Sequence, residues 1–227
     1  MEQVEKALQR LREYGFRLSP KKCFFAQKRI DFLGHEISQD GYFPCESNLL
    51  PIKAFPKPKT PRQIKSFLGM CGYFRKYIPK FSQIAAPMIK LTHINEPFIW
   101  TDEQESAFEF LKKKLIEKPI LVFPDYTKPF HIFVDASLNA RGGALMQEYE
   151  STPNSRRMEM KPIAYWSRVN SATERKWSVI QLELSAIVLA LRQFQPYIYA
   201  QKVIVHSDHK PLIYLMTRKA THPNLSR

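Results

Sequence analysis

The chain has 227 residues and only three cysteines, Cys23, Cys45 and Cys71. They lie far apart, form no metal-ligand pair and cannot all pair with one another, so a disulfide scaffold and a cysteine-bound zinc are excluded and a reducing compartment is expected. No apolar run approaches the ~18–20 residues that cross a bilayer, so no membrane-spanning helix is expected. The start carries Glu2, Glu5 and Lys6 where a secretory leader would have its apolar core, so the chain is not expected to be secreted. Cytoplasm and nucleus stay equally open. Acidic residues are scarce: 21 Asp+Glu stand against 35 Lys+Arg, a formal net charge of +14. The hydrophobic content of 44% and aromatic content of 13% are too high for a disordered basic tail. A folded chain of one or two domains with a polyanionic partner is the expectation, nucleic acid first and a membrane surface second.

The scarcity of acids is local. Residues 47–95 hold nine Lys+Arg and no Asp or Glu. The bases there alternate with aromatics and glycines: Lys65, Phe67, Gly69, Gly72, Tyr73, Phe74, Arg75, Lys76, Tyr77, Lys80 and Phe81. Lysine and arginine neutralise phosphates, aromatic faces stack on bases or sugars, and glycine permits close backbone approach. A solvated basic surface over an ordinary aromatic core is the simpler account of any single residue. The whole acid-free segment favours phosphate contact.

In the first half, Val4, Leu8 and Leu11 predict a helix ended by Gly15. Residues 29–38 predict a strand, 39–41 a turn, and 42–44 a return strand. The prolines of 51–61 predict an irregular connector. Thr60 as N-cap, Pro61 at the first position and Gln63 as capping-box partner predict a helix with the apolar stripe Ile64, Phe67, Leu68 and Cys71. A short helix is expected over 81–91. Another follows Thr101, with Gln104 as its box partner, acids in its first turn, lysines near its end, and Pro119 as its stop.

The second half reads as three strands, a helix, a strand and a short helix, a mixed α/β domain. The strands are residues 129–135, 142–146, 162–166 and 203–208. The long helix runs roughly from Thr173 to Gln195, and the last helix begins near Pro211. Alternation turns Phe130, Ile132 and Val134 one way and His131, Phe133 and Asp135 the other. Glu183 sits on a helix apolar on nearly all sides, where a bare carboxylate costs several kcal/mol unless it is paired or metal-bound. An ion pair to Arg192 or Arg168, or an edge position, would also explain it. Asp135 could be a turn residue and Asp208 an N-cap. Taken together, two strand-end aspartates and a helix-borne glutamate can converge. Three converging carboxylates need cations, and hard oxygen donors favour Mg²⁺ or Mn²⁺. Two such ions ~3.5–4 Å apart would support phosphodiester hydrolysis.

These residues carry a resemblance. The strings FHIFVDAS (130–137), GGALMQ (142–147), KPIAYWSR (161–168), LELSAIVLAL (182–191) and VHSDHKPLIYL (205–215) resemble the ribonuclease H domain of Gypsy-type LTR retrotransposon polyproteins. The strings LREYGFRLSPKKCFF (11–25), DFLGHEIS (31–38) and FPKPKTPRQIKSFLGMCGYFRKYIPKFS (55–82) resemble the end of the reverse transcriptase of the same elements. The resemblance covers nearly the whole chain in the family's order. It implies a palm end and primer-grip hairpin over 1–46, a small helical thumb over 47–95, a connecting helix over 96–119 and a ribonuclease H-like mixed sheet with flanking helices over 120–227. Asp135, Glu183 and Asp208 match three of the family's four metal-binding acids. Gly34, His35, Lys65, Gly69, Tyr73, Arg75 and Lys76 fall where the family holds nucleic acid. The implied partners are an RNA–DNA hybrid or template–primer duplex, read by backbone and shape, and the rest of a pol polyprotein with its protease and integrase.

The departures limit those expectations. The polymerase's Tyr–x–Asp–Asp motif is absent, so DNA synthesis by this chain alone is not expected. Nineteen residues follow Asp208, and none is Asp or Glu. The resemblance therefore implies an incomplete domain without its fourth acid or final helix. The functions weighed are a two-metal ribonuclease H, a catalytically dead nucleic-acid-binding remnant, and another member of the ribonuclease H-like superfold such as an integrase. The reverse-transcriptase strings argue against the last.

Overall fold

A computed structural model describes residues 2–117, 119–150 and 157–208. Helix α1 spans Glu2–Glu13 and carries the expected stripe, yet buries no residue. Strands β1 (Arg29–Phe32), β2 (His35–Ser38) and β3 (Gly41–Pro44) form an antiparallel meander. The segment expected as one strand over 29–38 is thus two. Phe32 pairs with His35 across a two-residue turn of Leu33 and Gly34, both at positive φ (47° and 75°), the geometry whose twist matches a right-handed hairpin. At φ 75° glycine is favoured, and a Cβ on Gly34 would stand 2.6 Å from the Asn48 amide nitrogen, which would have to shift.

Helix α2 (Glu46–Lys53) occupies the start of the expected irregular connector. Proline at its sixth position removes one backbone donor, and the helix survives because Leu49 and Ile52 are buried. Helix α3 (Pro61–Tyr73) starts as expected, with Thr60 Oγ1 accepting from the Gln63 N–H at 3.3 Å. Gln63 does not close the expected box: its Oε1 accepts from the Lys59 N–H (2.6 Å), one residue ahead of the cap. Helix α4 (Phe81–Lys90) follows. Helix α5 (Asp102–Ile116) has the expected reciprocal cap, Gln104 Oε1 accepting from the Thr101 N–H at 3.0 Å. Residues of α2–α5, with Leu121, make one core.

A second sheet joins β4 (Phe130–Ala136), β5 (Ala140–Glu150), β6 (Met158–Val169) and β7 (Val203–His206) in the order β6-β5-β4-β7. Within this sheet only β4 and β7 are parallel, and α6 (Val179–Ile198) leads from β6 to β7. Between β5 and β6 the register shifts at Leu145/Met146, opposite Pro162, which has no N–H for the ladder. Helix α6 begins six residues later than expected. Ser178 and Gln181 cap it reciprocally, and 174–176 form a separate 3₁₀ turn. The last strand ends at His206, with Asp208 in a bend beyond it. The expected helix near Pro211 lies outside the described residues. Ala186, Ala190 and Phe194 of α6 pack on Phe130, Ile132 and Val134, one of the two faces that alternation separates.

The opposite face of this sheet receives α4. The Ser82 N–H donates to Ser167 Oγ (2.9 Å), and the two hydroxyls are 3.1 Å apart. Arg75 donates to Ser82 Oγ and to the Ser167 carbonyl. Tyr42 of β3 pairs with Leu121 by two backbone bonds (2.9 and 3.0 Å) and donates its hydroxyl to the Ile163 carbonyl (3.1 Å). The hairpin, the helices and the sheet thus meet in one scaffold.

Candidate nucleic-acid interface and acid site

Lys65, Gly69 and Tyr73 recur every four residues and so share one face of α3. All three are exposed. A Cβ at Gly69 or Gly72 would meet nothing within 4 Å, which leaves the helix open for the approach of a backbone. At the end of this stripe Tyr73 donates its hydroxyl to the Leu33 carbonyl (2.6 Å) and stacks on His35, with centroids 5.6 Å apart and planes 6° apart. His35 Nδ1 and the Tyr77 hydroxyl share a 2.9 Å hydrogen bond. Phe74 meets the imidazole edge-on. Burial, and then the Lys76 charge, lowers the His35 pKa below its ordinary 6.5, so the ring is neutral at physiological pH. Lys76 Nζ lies 4.8 Å from the Tyr42 ring centroid and 5.4 Å from that of Tyr77, and burial lowers its pKa too. Burial also raises both phenols well above their ordinary range, the Tyr197 side chain adding to the effect at Tyr42.

The seven residues singled out for nucleic acid thus divide. Lys65, Gly69 and Tyr73 are open, while Gly34, His35 and Lys76 form the support beneath Tyr73. Arg75 is committed to Ser82 and Ser167 and lies 5.6 Å from the Phe81 ring centroid. It fastens α4 to the sheet.

The acids occupy the second sheet. Asp135, one residue from the end of β4, lies opposite Gly142 of β5, on the face away from α6. Phe133 pairs with His206 of β7. Their rings stack 4.3 Å apart, and His131 Nδ1 lies 2.9 Å from His206 Nε2. The paired register stops at Phe133 and His206; Asp135 lies further along β4, and the exposed Asp208 sits in a bend past the end of β7. Glu183 is 4% exposed on α6. Its expected partner Arg168 is engaged elsewhere, donating to both Glu174 carboxylate oxygens (3.1 and 3.2 Å).

Glu174 is the acid that sequence reasoning passed over. Burial works to raise its pKa, but hydrogen bonds from Ser171 and the charge and donors of Arg141 overcome that and hold it at about 2. Arg141 is 1% exposed and also donates to Asn170. Lys80 was passed over as well, counted only as one base of the acid-free run. Its Nζ lies 2.6 Å from Asp135 Oδ2, at the mouth of a cavity of about 140 Å³ between α4 and the sheet. Among the described residues, no group of three or more His, Cys, Asp or Glu could hold a metal ion. Carboxylate donors suit Mg²⁺ or Mn²⁺ in kind, but Glu183 lies on the helix packed on the face of the sheet opposite Asp135, so the structure does not bring the three acids together as the sequence led one to expect.

Comparison with known proteins agrees with this arrangement. Residues 100–205 match the RNase H-like domain found in reverse transcriptase. The chain is 35% identical over 216 residues to the retrovirus-related Pol polyprotein of transposon 412 of Drosophila melanogaster, covering 95% of this chain and 17% of that protein. It is 33% identical over 206 residues to the Gag-Pol polyprotein of Gibbon ape leukemia virus, covering 91% and 12%, so it spans less than a fifth of either relative. Among solved structures, the foamy viral protease-reverse transcriptase in complex with RNA/DNA hybrid superposes with a TM-score of 0.72 at 26% identity, covering 96% of this chain and 30% of that one. The same enzyme described as dRH, in complex with double-stranded DNA, gives 0.75 at 25% identity, covering 96% and 37%. Among the described residues no helix is long and apolar enough to cross a membrane. Over residues 100–205 the chain carries the RNase H-like domain of reverse transcriptases, and along nearly its whole length it is homologous to the Pol polyproteins of transposons and retroviruses.

Proposed function

We propose that the chain grips an RNA–DNA hybrid along the exposed face of α3 and hydrolyses its RNA strand at Asp135, Glu183 and Asp208. The reading draws support from the parallel β4–β7 pairing, with Asp135 near the end of β4 and Asp208 two residues past the end of β7. In this reading residues 1–46 are the palm end and primer-grip hairpin, 47–95 the thumb, 96–119 a connecting helix and 120–227 the hydrolase domain. Lys65 supplies charge to the phosphates, and Tyr73 offers a face fixed by His35 and the Leu33 carbonyl. Asp135, Glu183 and Asp208 are of the kind that take Mg²⁺ or Mn²⁺, but as placed they form no group that could hold such an ion, so no step is assigned to it. The remaining domains of a pol polyprotein would be partners in the intact element.

A second reading, a module that binds hybrid without cutting it, draws on a specific contact: the Lys80 ammonium on Asp135. One assay separates the two. The purified chain is incubated with a labelled RNA–DNA hybrid and Mg²⁺ or Mn²⁺, with Asp135→Asn as control. Cleavage above that control is expected; cleavage equal to it, with binding intact, leaves the binding module.

A further inference from the structure

We propose that the cavity between α4 and the second sheet is a binding site for a small aromatic carboxamide, its ring on the sheet and its amide between Lys80 and Asp135. The site goes beyond the hydrolase reading and does not rest on it, because such a ring needs neither hybrid nor cation to bind.

The floor of the cavity follows from strand register. Phe133 of β4 pairs with Ala144 of β5, and Ala144 pairs with Tyr165 of β6, so two aromatic side chains flank a methyl group in one row. Two residues along, Asp135, Gly142 and Ser167 form the next row, on the same face by the period of a strand. Glycine at the centre of that row puts no side chain over the floor. Phe133 is fixed by its stack on His206. Lys80 and Gln83 of the α4 start close the cavity from above. The volume of about 140 Å³ is of the size that takes a single benzene ring when the walls are apolar.

Most polar side chains of the lining are engaged within the protein. Arg141 donates to Asn170 and Ser185 and pairs with Glu174. Ser167 bonds to Ser82, and Gln83 donates to Ser137. Two groups at the mouth keep capacity. An ammonium has three N–H donors and a carboxylate two acceptor oxygens, and the 2.6 Å contact between Lys80 Nζ and Asp135 Oδ2 uses one of each. Among the described residues no other hydrogen bond or ion pair reaches either group. Backbone geometry holds Lys80 in place: it precedes α4 at φ 55°, and its carbonyl accepts the N–H groups of Gln83 and Ile84 (2.9 and 3.1 Å). The pair therefore presents a donor and an acceptor side by side above an apolar floor.

A primary carboxamide on an aromatic ring is the complement of that rim. Its carbonyl accepts from Lys80, its N–H donates to Asp135, and both lie in the plane of a ring that fits the floor. An aromatic carboxylate would set its charge against Asp135, and an aromatic cation would set its charge against Lys80. The neutral guest meets neither repulsion and leaves the ion pair intact.

The test titrates benzamide, benzoate and N,N-dimethylbenzamide into the full chain and follows the backbone amide resonances of Gly142, Gly143 and Ala144. Benzamide is expected to move them and to bind about tenfold more tightly than the other two, the loss of one charge-assisted hydrogen bond. Asp135→Asn removes the negative charge from the rim and is expected to reverse the order, benzoate then binding more tightly through Lys80. Ala144→Leu fills the floor and is expected to weaken benzamide about tenfold, with a thermal melt confirming that each variant folds. Benzoate matching benzamide in the wild type, or an order unchanged in Asp135→Asn, overturns recognition at the rim. Amides that do not move with benzamide, or benzamide affinity indifferent to Ala144→Leu, overturn the site. No arm contains hybrid, so these results stand or fall apart from the hydrolase reading.

Discussion

The hairpin–α3 junction and the acid ends of β4 and β7 are built on opposite plans. At the junction every partner comes from this chain: Tyr73 is held by Leu33 and His35, His35 by Tyr77, and Lys76 by two phenol rings. At the end of β4 the cation facing Asp135 is a lysine borrowed from α4. The difference teaches that a surface for gripping can be pre-built from rings and lysines. A site for cutting carries charge that a cation from elsewhere must balance.

The largest effect expected from breaking this contrast is at Asp135. Asp135→Asn should lose hybrid cleavage down to background and keep its hybrid affinity, read by a gel assay and by fluorescence anisotropy on the same preparation. Glu174 sharpens the contrast as an acid of the same domain with a structural task. Glu174→Gln leaves Arg141 buried without its ion pair and should lower stability by about 3 kcal/mol at neutral pH. Its carboxyl sits at about 2 when folded, against an ordinary value of 4.5. The stabilisation is therefore complete above about 4.5 and lost as the pH falls toward 2. Urea denaturation of wild type and variant should converge over that window, and a constant difference would refute the assignment.

What could be read in advance followed the range of the interactions. The starts of α3 and α5 were legible because caps lie within four residues of what they cap. The two faces of β4 were legible because strand alternation is local. The Leu33–Gly34 turn was not, because Leu33 adopts a positive φ uncommon for leucine, and Gly34 was its only local mark. Helix α2 was missed because Pro51 reads as a breaker, while the burial of Leu49 and Ile52 that outweighs it is tertiary. The acids were legible by residue type alone, and nothing local signalled that α6 carries Glu183 to the face of the sheet opposite Asp135. The Lys80 contact was not, since it joins residues 55 apart through the docking of α4 on β6.

Smaller effects are expected on the gripping side. Tyr73→Ala removes a stacking face and should weaken hybrid binding about tenfold, within the range for one base–aromatic contact. Lys65→Gln should weaken it by less, about two- to threefold at moderate salt, and lower the salt slope of binding by about one. An unchanged slope would remove Lys65 from the phosphate path.

The account's central claim is that gripping and cutting are separate tasks of separate residues. The most direct test measures hybrid affinity and single-turnover cleavage side by side for Asp135→Asn and Tyr73→Ala. The account predicts a crossed result: Asp135→Asn binds like the wild type and does not cut, while Tyr73→Ala binds weakly and cuts at the wild-type rate once hybrid is saturating. Parallel loss of both activities in both variants would contradict it.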